Sequence, residues 1–207
     1  MRPDFVYLAS ASPRRHQLLK QIGVSFQVLN VEIDESVSPN EGPLAYVTRL
    51  AAAKAGAGLR QTEACPPLAR PVLAADTAVV IDGEILGKPR DGEDGRRMLR
   101  LLSGRTHEVL TAIALAMPGG LTSRLSRSEV TFRAIGAAEA RDYWDTGEPC
   151  DKAGGYAIQG YGAVFVADMR GSYSGVMGLP LYETAEFLRS AGVSLWRPGH
   201  LGGADEH

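Results

Sequence analysis

Phe5-Val6-Tyr7-Leu8-Ala9-Ser10-Ala11-Ser12-Pro13-Arg14-Arg15 begins as a β-branched, aromatic and aliphatic run and passes at once into a cap residue and a helix-starting proline. This reads as strand, tight loop, helix. The helix is expected over residues 13–22, burying Leu18, Leu19 and Ile22, with Gly23 stopping it before a second strand through Phe26, Val28 and Leu29. Such alternation favours an α/β fold.

Outward from there the pattern continues. Leu44, Val47, Leu50 and Ala51 recur at helical spacing over residues 42–59, and Pro66-Pro67 closes the following loop. Val72-Leu73-Ala74-Ala75 and Ala78-Val79-Val80-Ile81 form one buried strand, turned by Asp82-Gly83 into a hairpin partner, Glu84-Ile85-Leu86. A helix begun near Asp91 ends at Leu102. Ser103-Gly104 then turns into a strand over residues 108–117, paired across Pro118-Gly119-Gly120 with residues 123–133. Residues 137–146 read as a helix, 154–162 as a glycine-rich loop, 164–166 as a strand and 179–191 as the last helix. There is no internal repeat. Residues 1–196 are expected as one continuous α/β domain and the aperiodic tail, 197–207, as a frayed end.

Bulk composition bounds the function. With 207 residues, 44% apolar and 22% charged, the chain has the profile of an ordinary globular protein. A formal net charge of −2 gives no broad positive field for nucleic acid, so an anion must be captured locally. No apolar run approaches the roughly 20 residues that span a bilayer, and the first residues lack a signal-peptide pattern, so a cytoplasmic protein is expected. Cys65 and Cys150 read as free thiols, and His16, His107, His200 and His207 have no metal-ligand spacing; His107 reads as structural or peripheral.

Six places carry chemistry. Arg14 and Arg15 stand in the first turn of a helix, against its dipole, at a cost of roughly 0.3–1 kcal/mol each when exposed. A polyphosphate held by the arginines, the backbone N–H groups, Ser10 and Ser12 would offset that cost; alternatively Ser12 only caps the helix and the arginines face water. Asp76 interrupts an apolar strand, where an ionised carboxylate is costly unless a cation or a catalytic duty explains it; a bulge is the bland alternative. Glu35 could join Asp76 as an oxygen ligand for Mg²⁺ or Mn²⁺, although such acidic loops are more often merely solvated. Lys88, before Pro89, could project into a cleft, whereas Lys54, among alanines, reads as water-facing. The stretch 151–160 joins glycine freedom to the carboxamide of Gln159, which suits a nucleotide base or a structural turn. P-loop and Rossmann fingerprints are missing.

Taken together, Leu8-Ala9-Ser10-Ala11-Ser12-Pro13-Arg14-Arg15, Ala75-Asp76-Thr77, Gly87-Lys88-Pro89, Leu102-Ser103-Gly104 and Asp151-Lys152-Ala153-Gly154 resemble the Maf nucleotide pyrophosphatases, in order, over residues 7–188. The resemblance implies a two-lobed, mixed-sheet α/β fold of the Maf and ITPase-like kind, a nucleotide cleft between the lobes, a homodimer, and cleavage of a nucleoside triphosphate between its α and β phosphates. It assigns Asp76 as proton acceptor, and Ser10, Arg14, Arg15, Lys54 and Lys88 to the phosphates. Glu35 goes to metal or water positioning, and Arg14, Thr77 and Gln159 to specificity. Asp76-Thr77 and residues 106–112 look like the branch acting on dTTP and UTP. The rivals are a pyrophosphatase for 7-methyl-GTP or modified purines, and a non-catalytic nucleotide-binding regulator of septum formation.

Overall fold

A computed structural model describes residues 5–63 and 70–196; Cys65, Pro66-Pro67 and the tail from Arg197 lie outside the described residues. The opening segment forms strand β1 (Val6–Leu8) and helix α1 (Pro13–Gln21), followed by β2 (Phe26–Val28). Helix α2 (Pro43–Glu63) runs four residues past the expected end, because Arg60, Gln61 and Thr62 offer no helix breaker. β3 (Val72–Ile81) and β4 (Glu84–Leu86) are joined by Asp82 and Gly83, both at positive φ as a two-residue hairpin requires. Helix α3 (Gly92–Leu102) is capped by the Asp91 side chain, which accepts from Asp94 N. The long hairpin β5 (Thr106–Met117) and β6 (Gly120–Phe132) leads to α4 (Ala137–Asp145), β7 (Val166–Arg170), α5 (Tyr173–Val176) and α6 (Leu181–Ser190).

Two readings are corrected here. Val164-Phe165-Val166 is not a strand: Tyr161–Phe165 is a 3-10 turn, whose Phe165 is buried against Tyr143 and Phe132, and pairing with β6 begins only at Val166. The last helix starts at Leu181 rather than 179, because Pro180 is its cap residue, and the separate turn α5 precedes it. The glycine-rich stretch is irregular backbone and short 3-10 turns, and its residues 154–158 are all buried.

The strands make one mixed sheet in the order β2-β1-β3-β5-β6-β7, with β4 also on β3. β1 is parallel to β2 and β3; the remaining pairs are antiparallel. Along one edge β3 pairs with β5 in unbroken register from Val72 to Val80, so Asp76 sits at no bulge. The opposite edge is shared. Pairing with β1 ends at Leu73, and pairing with β4 begins at Val79. Among the described residues no strand covers 74–78 on that edge, and the sheet is split there.

Packing follows the split. On one face Val72, Ala74, Ala78 and Val80 pack with Val47, Ala51 and Ala55 of α2, which bridges both halves. On the other face two cores form. Val6, Leu8, Leu73, Ala75 and Ile113 pack with α1 and α6, whereas Val79, Ile81, Val109 and Phe132 pack with α3, α4 and Tyr156. His107 lies in the second core, bonded to the Tyr156 hydroxyl at 2.8 Å, and burial lowers its pKa to about 4.

Candidate active site

Strand alternation sends Asp76 to the α2 face and Thr77 to the other, and the split lets a single cleft of about 790 Å³ reach both. Residues 10–15 at the mouth of α1 line it, as do Glu35, Lys54, Asp76, Thr77, Lys88 and Gln159. Every residue singled out from the sequence as a site candidate therefore meets at one place, although they come from six separate stretches of chain.

Asp76 is 7% exposed. Its Oδ1 accepts from Lys54 Nζ at 2.7 Å, and the same ammonium lies 2.7 Å from Glu35 Oε1. Lys54 is not water-facing, because α2 turns it onto the stripe of Val47 and Ala51; continuing that spacing by one turn was the signal that could have found it. Desolvation raises the Asp76 pKa against the opposing charges of Lys54 and Arg15. Desolvation also acts upward on Glu35, but the hydrogen bond and charge of Lys54, with Lys88 and Arg15 beyond, outweigh it and hold that carboxyl below its ordinary value.

The cations divide into two kinds. Arg15 is engaged inside the protein: Nε donates to Gly178 O (2.8 Å), Nη1 to Ser10 Oγ (3.0 Å) and Nη2 to Thr77 Oγ1 (3.3 Å). Arg14 and Lys88 make no hydrogen bond or ion pair with the described residues, so their donors remain for a ligand. Burial lowers the Arg14 pKa, while Asp151 and Glu148 act the other way. Lys88 is positioned by its neighbour, since Gly87 O accepts from Gly154 N (3.0 Å); Gly154 has φ +70° and a Cβ there would meet Val79 at 2.9 Å. Ser12 does not cap α1 with its side chain; instead its N–H donates to Ser10 Oγ (3.3 Å), which folds the loop back into the cleft.

Sequence reasoning missed the clasp that holds Glu35. Arg49 Nε and Nη2 donate to Glu41 Oε1 and Oε2 at 2.6 and 2.7 Å, Nη2 also reaches Ser36 O (2.9 Å), and the Tyr46 hydroxyl donates to Glu35 O (3.0 Å). Met177 and Gly178, after α5, also line the cleft. Two neighbouring carboxylates that share one ammonium are hard oxygen donors with charge to spare, a set that suits a divalent cation such as Mg²⁺ or Mn²⁺. Among the described residues no group of three or more His, Cys, Asp or Glu side chains forms a cage, so oxygens of a bound ligand would complete the shell.

Fold and site together define an α/β protein whose split sheet holds a cleft lined by arginines and lysines, with a buried carboxylate at its centre. The chain belongs to the Maf-like protein family, whose model matches residues 5–191. It is 53% identical over 192 residues to a dTTP/UTP pyrophosphatase of Saccharophagus degradans, covering 93% of this chain and 91% of that one. Proteins of the same name from Chromobacterium violaceum (50% over 190 residues, 92% and 96% covered) and Aliivibrio fischeri (49% over 183 residues, 88% and 96% covered) are similar to it. Among solved structures, the Staphylococcus aureus Ham1 protein aligns with 64% of this chain and 72% of its own at 16% identity, with a TM-score of 0.43.

Proposed function

We propose that this chain is a nucleoside triphosphate pyrophosphatase that hydrolyses dTTP and UTP to the monophosphate and pyrophosphate. One observation carries the reading: the buried carboxylate of Asp76, paired with Lys54, shares a cleft with the unengaged cations Arg14 and Lys88. The names of the relatives supply the nucleotide.

In the reaction a water oxygen bonds to the α-phosphorus as the bond to the bridging oxygen of the β-phosphate breaks. Asp76 Oδ1 is held by Lys54, and Oδ2 takes the proton from the water. The raised pKa of Asp76 makes it a stronger base than an exposed aspartate. Arg14 and Lys88 stabilise the charge that collects on the departing pyrophosphate, while Ser10 and the first-turn N–H groups of α1 orient the chain of phosphates. Lys54 and Arg15, engaged within the protein, hold Asp76 and Thr77 in place. Asp76 and Glu35 would hold Mg²⁺ or Mn²⁺, which supplies neutralisation of the triphosphate when bound.

The same proposal includes a homodimer and a cytoplasmic protein with no nucleic-acid partner; among the described residues no helix is long and apolar enough to cross a membrane. Product analysis on a nucleoside triphosphate panel with Mg²⁺ or Mn²⁺ tests the activity. Pyrophosphate and monophosphate from dTTP and UTP, in preference to purine nucleotides, are expected. Nucleotide-dependent thermal stabilisation without product would overturn it in favour of a binding protein.

A further inference from the structure

The Thr77 face of the cleft differs in chemistry from the Asp76 face. It is walled by Val79, Val109, Ile158 and Met177, with Thr77 among them, and Gln159 stands exposed at the rim. Apolar walls with few polar groups suit a base, whereas the lysines and carboxylates of the other face suit phosphates. Behind Thr77 runs a chain of hydrogen bonds. Arg15 Nη2 donates to Thr77 Oγ1 (3.3 Å), Thr77 Oγ1 lies 3.0 Å from Thr111 Oγ1, and Thr111 Oγ1 lies 2.8 Å from Gly175 O.

The direction of that chain follows from its ends. A carbonyl only accepts, so the single proton of the Thr111 hydroxyl goes to Gly175 O. Thr77 must then donate its own proton to Thr111. Arginine only donates, so it occupies one Thr77 lone pair, and what remains for the cleft is the second lone pair. Thr77 thus faces a ligand as an acceptor. Thr111 is 1% exposed and does not line the cleft, so it reaches a ligand only through its two partners, the Thr77 hydroxyl and the Gly175 carbonyl of α5.

We propose that Thr111 is a positioning residue that locks the polarity of the Thr77 hydroxyl and thereby makes the cleft select uracil or thymine over cytosine. This rests on the pyrimidine nucleotide reading above. Uracil and thymine carry a ring N–H at N3, a donor that matches the free lone pair; cytosine has a bare acceptor nitrogen there. Gln159 cannot make this distinction alone, because an exposed carboxamide rotates to offer either a donor or an acceptor. A hydroxyl whose proton is already committed cannot turn.

The test is kcat/KM for UTP and CTP with the wild type, Thr111→Val and Thr111→Ser. Valine removes the acceptor for the Thr77 proton and frees the hydroxyl to turn, so the UTP:CTP ratio should fall about tenfold or more. Serine keeps both bonds, and its ratio should stay within about twofold of wild type. A valine variant with the wild-type ratio, or a serine variant that loses as much as valine, overturns the inference. Should the valine variant fail to fold, 3-methyl-UTP, which lacks the N3 donor, serves with the unaltered protein. A loss of about tenfold or more against UTP is expected, and equal turnover overturns the inference. Selective UTP hydrolysis with an unchanged Thr111→Val ratio sinks this inference alone. A wild type that hydrolyses no nucleotide sinks the pyrophosphatase reading with it.

Discussion

Replacing Lys54 with methionine keeps most of the apolar stem and removes only the charge, leaving two carboxylates without their shared partner. The Lys54 and Asp76 side chains are 13% and 10% exposed, which makes this a buried pair rather than a surface one. Breaking a buried pair from one side costs about 3–5 kcal/mol; because the cleft admits water, the lower end applies, about 3 kcal/mol. For a chain of this size that is a fall in Tm of about 6–12 °C. The cost should depend on pH in one direction. Burial already raises the folded-state pKa of Asp76 above its unfolded value, so this group favours the fold at low pH and loses that contribution as pH rises through the folded value. Without Lys54 the pKa rises further, so the penalty grows toward alkaline pH and shrinks once Asp76 is protonated. Glu35 has the opposite dependence, its stabilisation being lost as pH falls, but at 54% exposure its share is small. Thermal denaturation of wild type and Lys54→Met at about pH 8 and about pH 5 reads this directly, and an Asp76→Asn background should reduce the cost to below about 1 kcal/mol. An equal Tm deficit at both pH values, or an undiminished one in the Asp76→Asn background, would refute the coupling.

Asp76→Asn should lower kcat about 10²- to 10⁴-fold while the circular dichroism spectrum is unchanged. In the metal-free wild type, protonation of the Asp76 carboxylate followed by NMR should fall above the ordinary aspartate range because burial raises that pKa; a midpoint at the ordinary value would count against the buried site. Arg49→Met releases the loop that carries Glu35 without touching the cleft lining. The apparent Mg²⁺ or Mn²⁺ requirement should rise several-fold, and Tm should change by only a few degrees because Arg49 is partly exposed. A metal titration that overlays wild type would remove the clasp from the description.

Where local chemistry decides, the chain was legible. The apolar run of β3, the Asp82-Gly83 and Pro118-Gly119-Gly120 turns, and Pro13 at the start of α1 each specify one local geometry. The split in the sheet was not legible, since which strand covers residues 74–78 is set by where β1 ends and β4 begins, not by anything in Ala74-Ala75-Asp76-Thr77-Ala78. Asp76 was visible because a carboxylate in an apolar strand violates a local rule. Lys54 reads as water-facing because lysine on an alanine-rich helix violates no such rule, and only its place one turn beyond Val47 and Ala51 points it toward β3. Arg14 and Arg15 look equivalent in sequence, yet the fold leaves the first unengaged and ties the second to Ser10, Thr77 and Gly178. The four-residue α5 and the 3-10 turn at Tyr161–Phe165 are too short for periodicity to register, and tertiary packing of Phe165 decides the latter.

Hydrolysis of UTP in heavy-oxygen water, with the products separated and weighed by mass spectrometry, tests most directly whether water attacks the α-phosphorus beside Asp76. The label should appear in the monophosphate and not in pyrophosphate. Label in pyrophosphate, or release of orthophosphate in its place, would contradict the assignment.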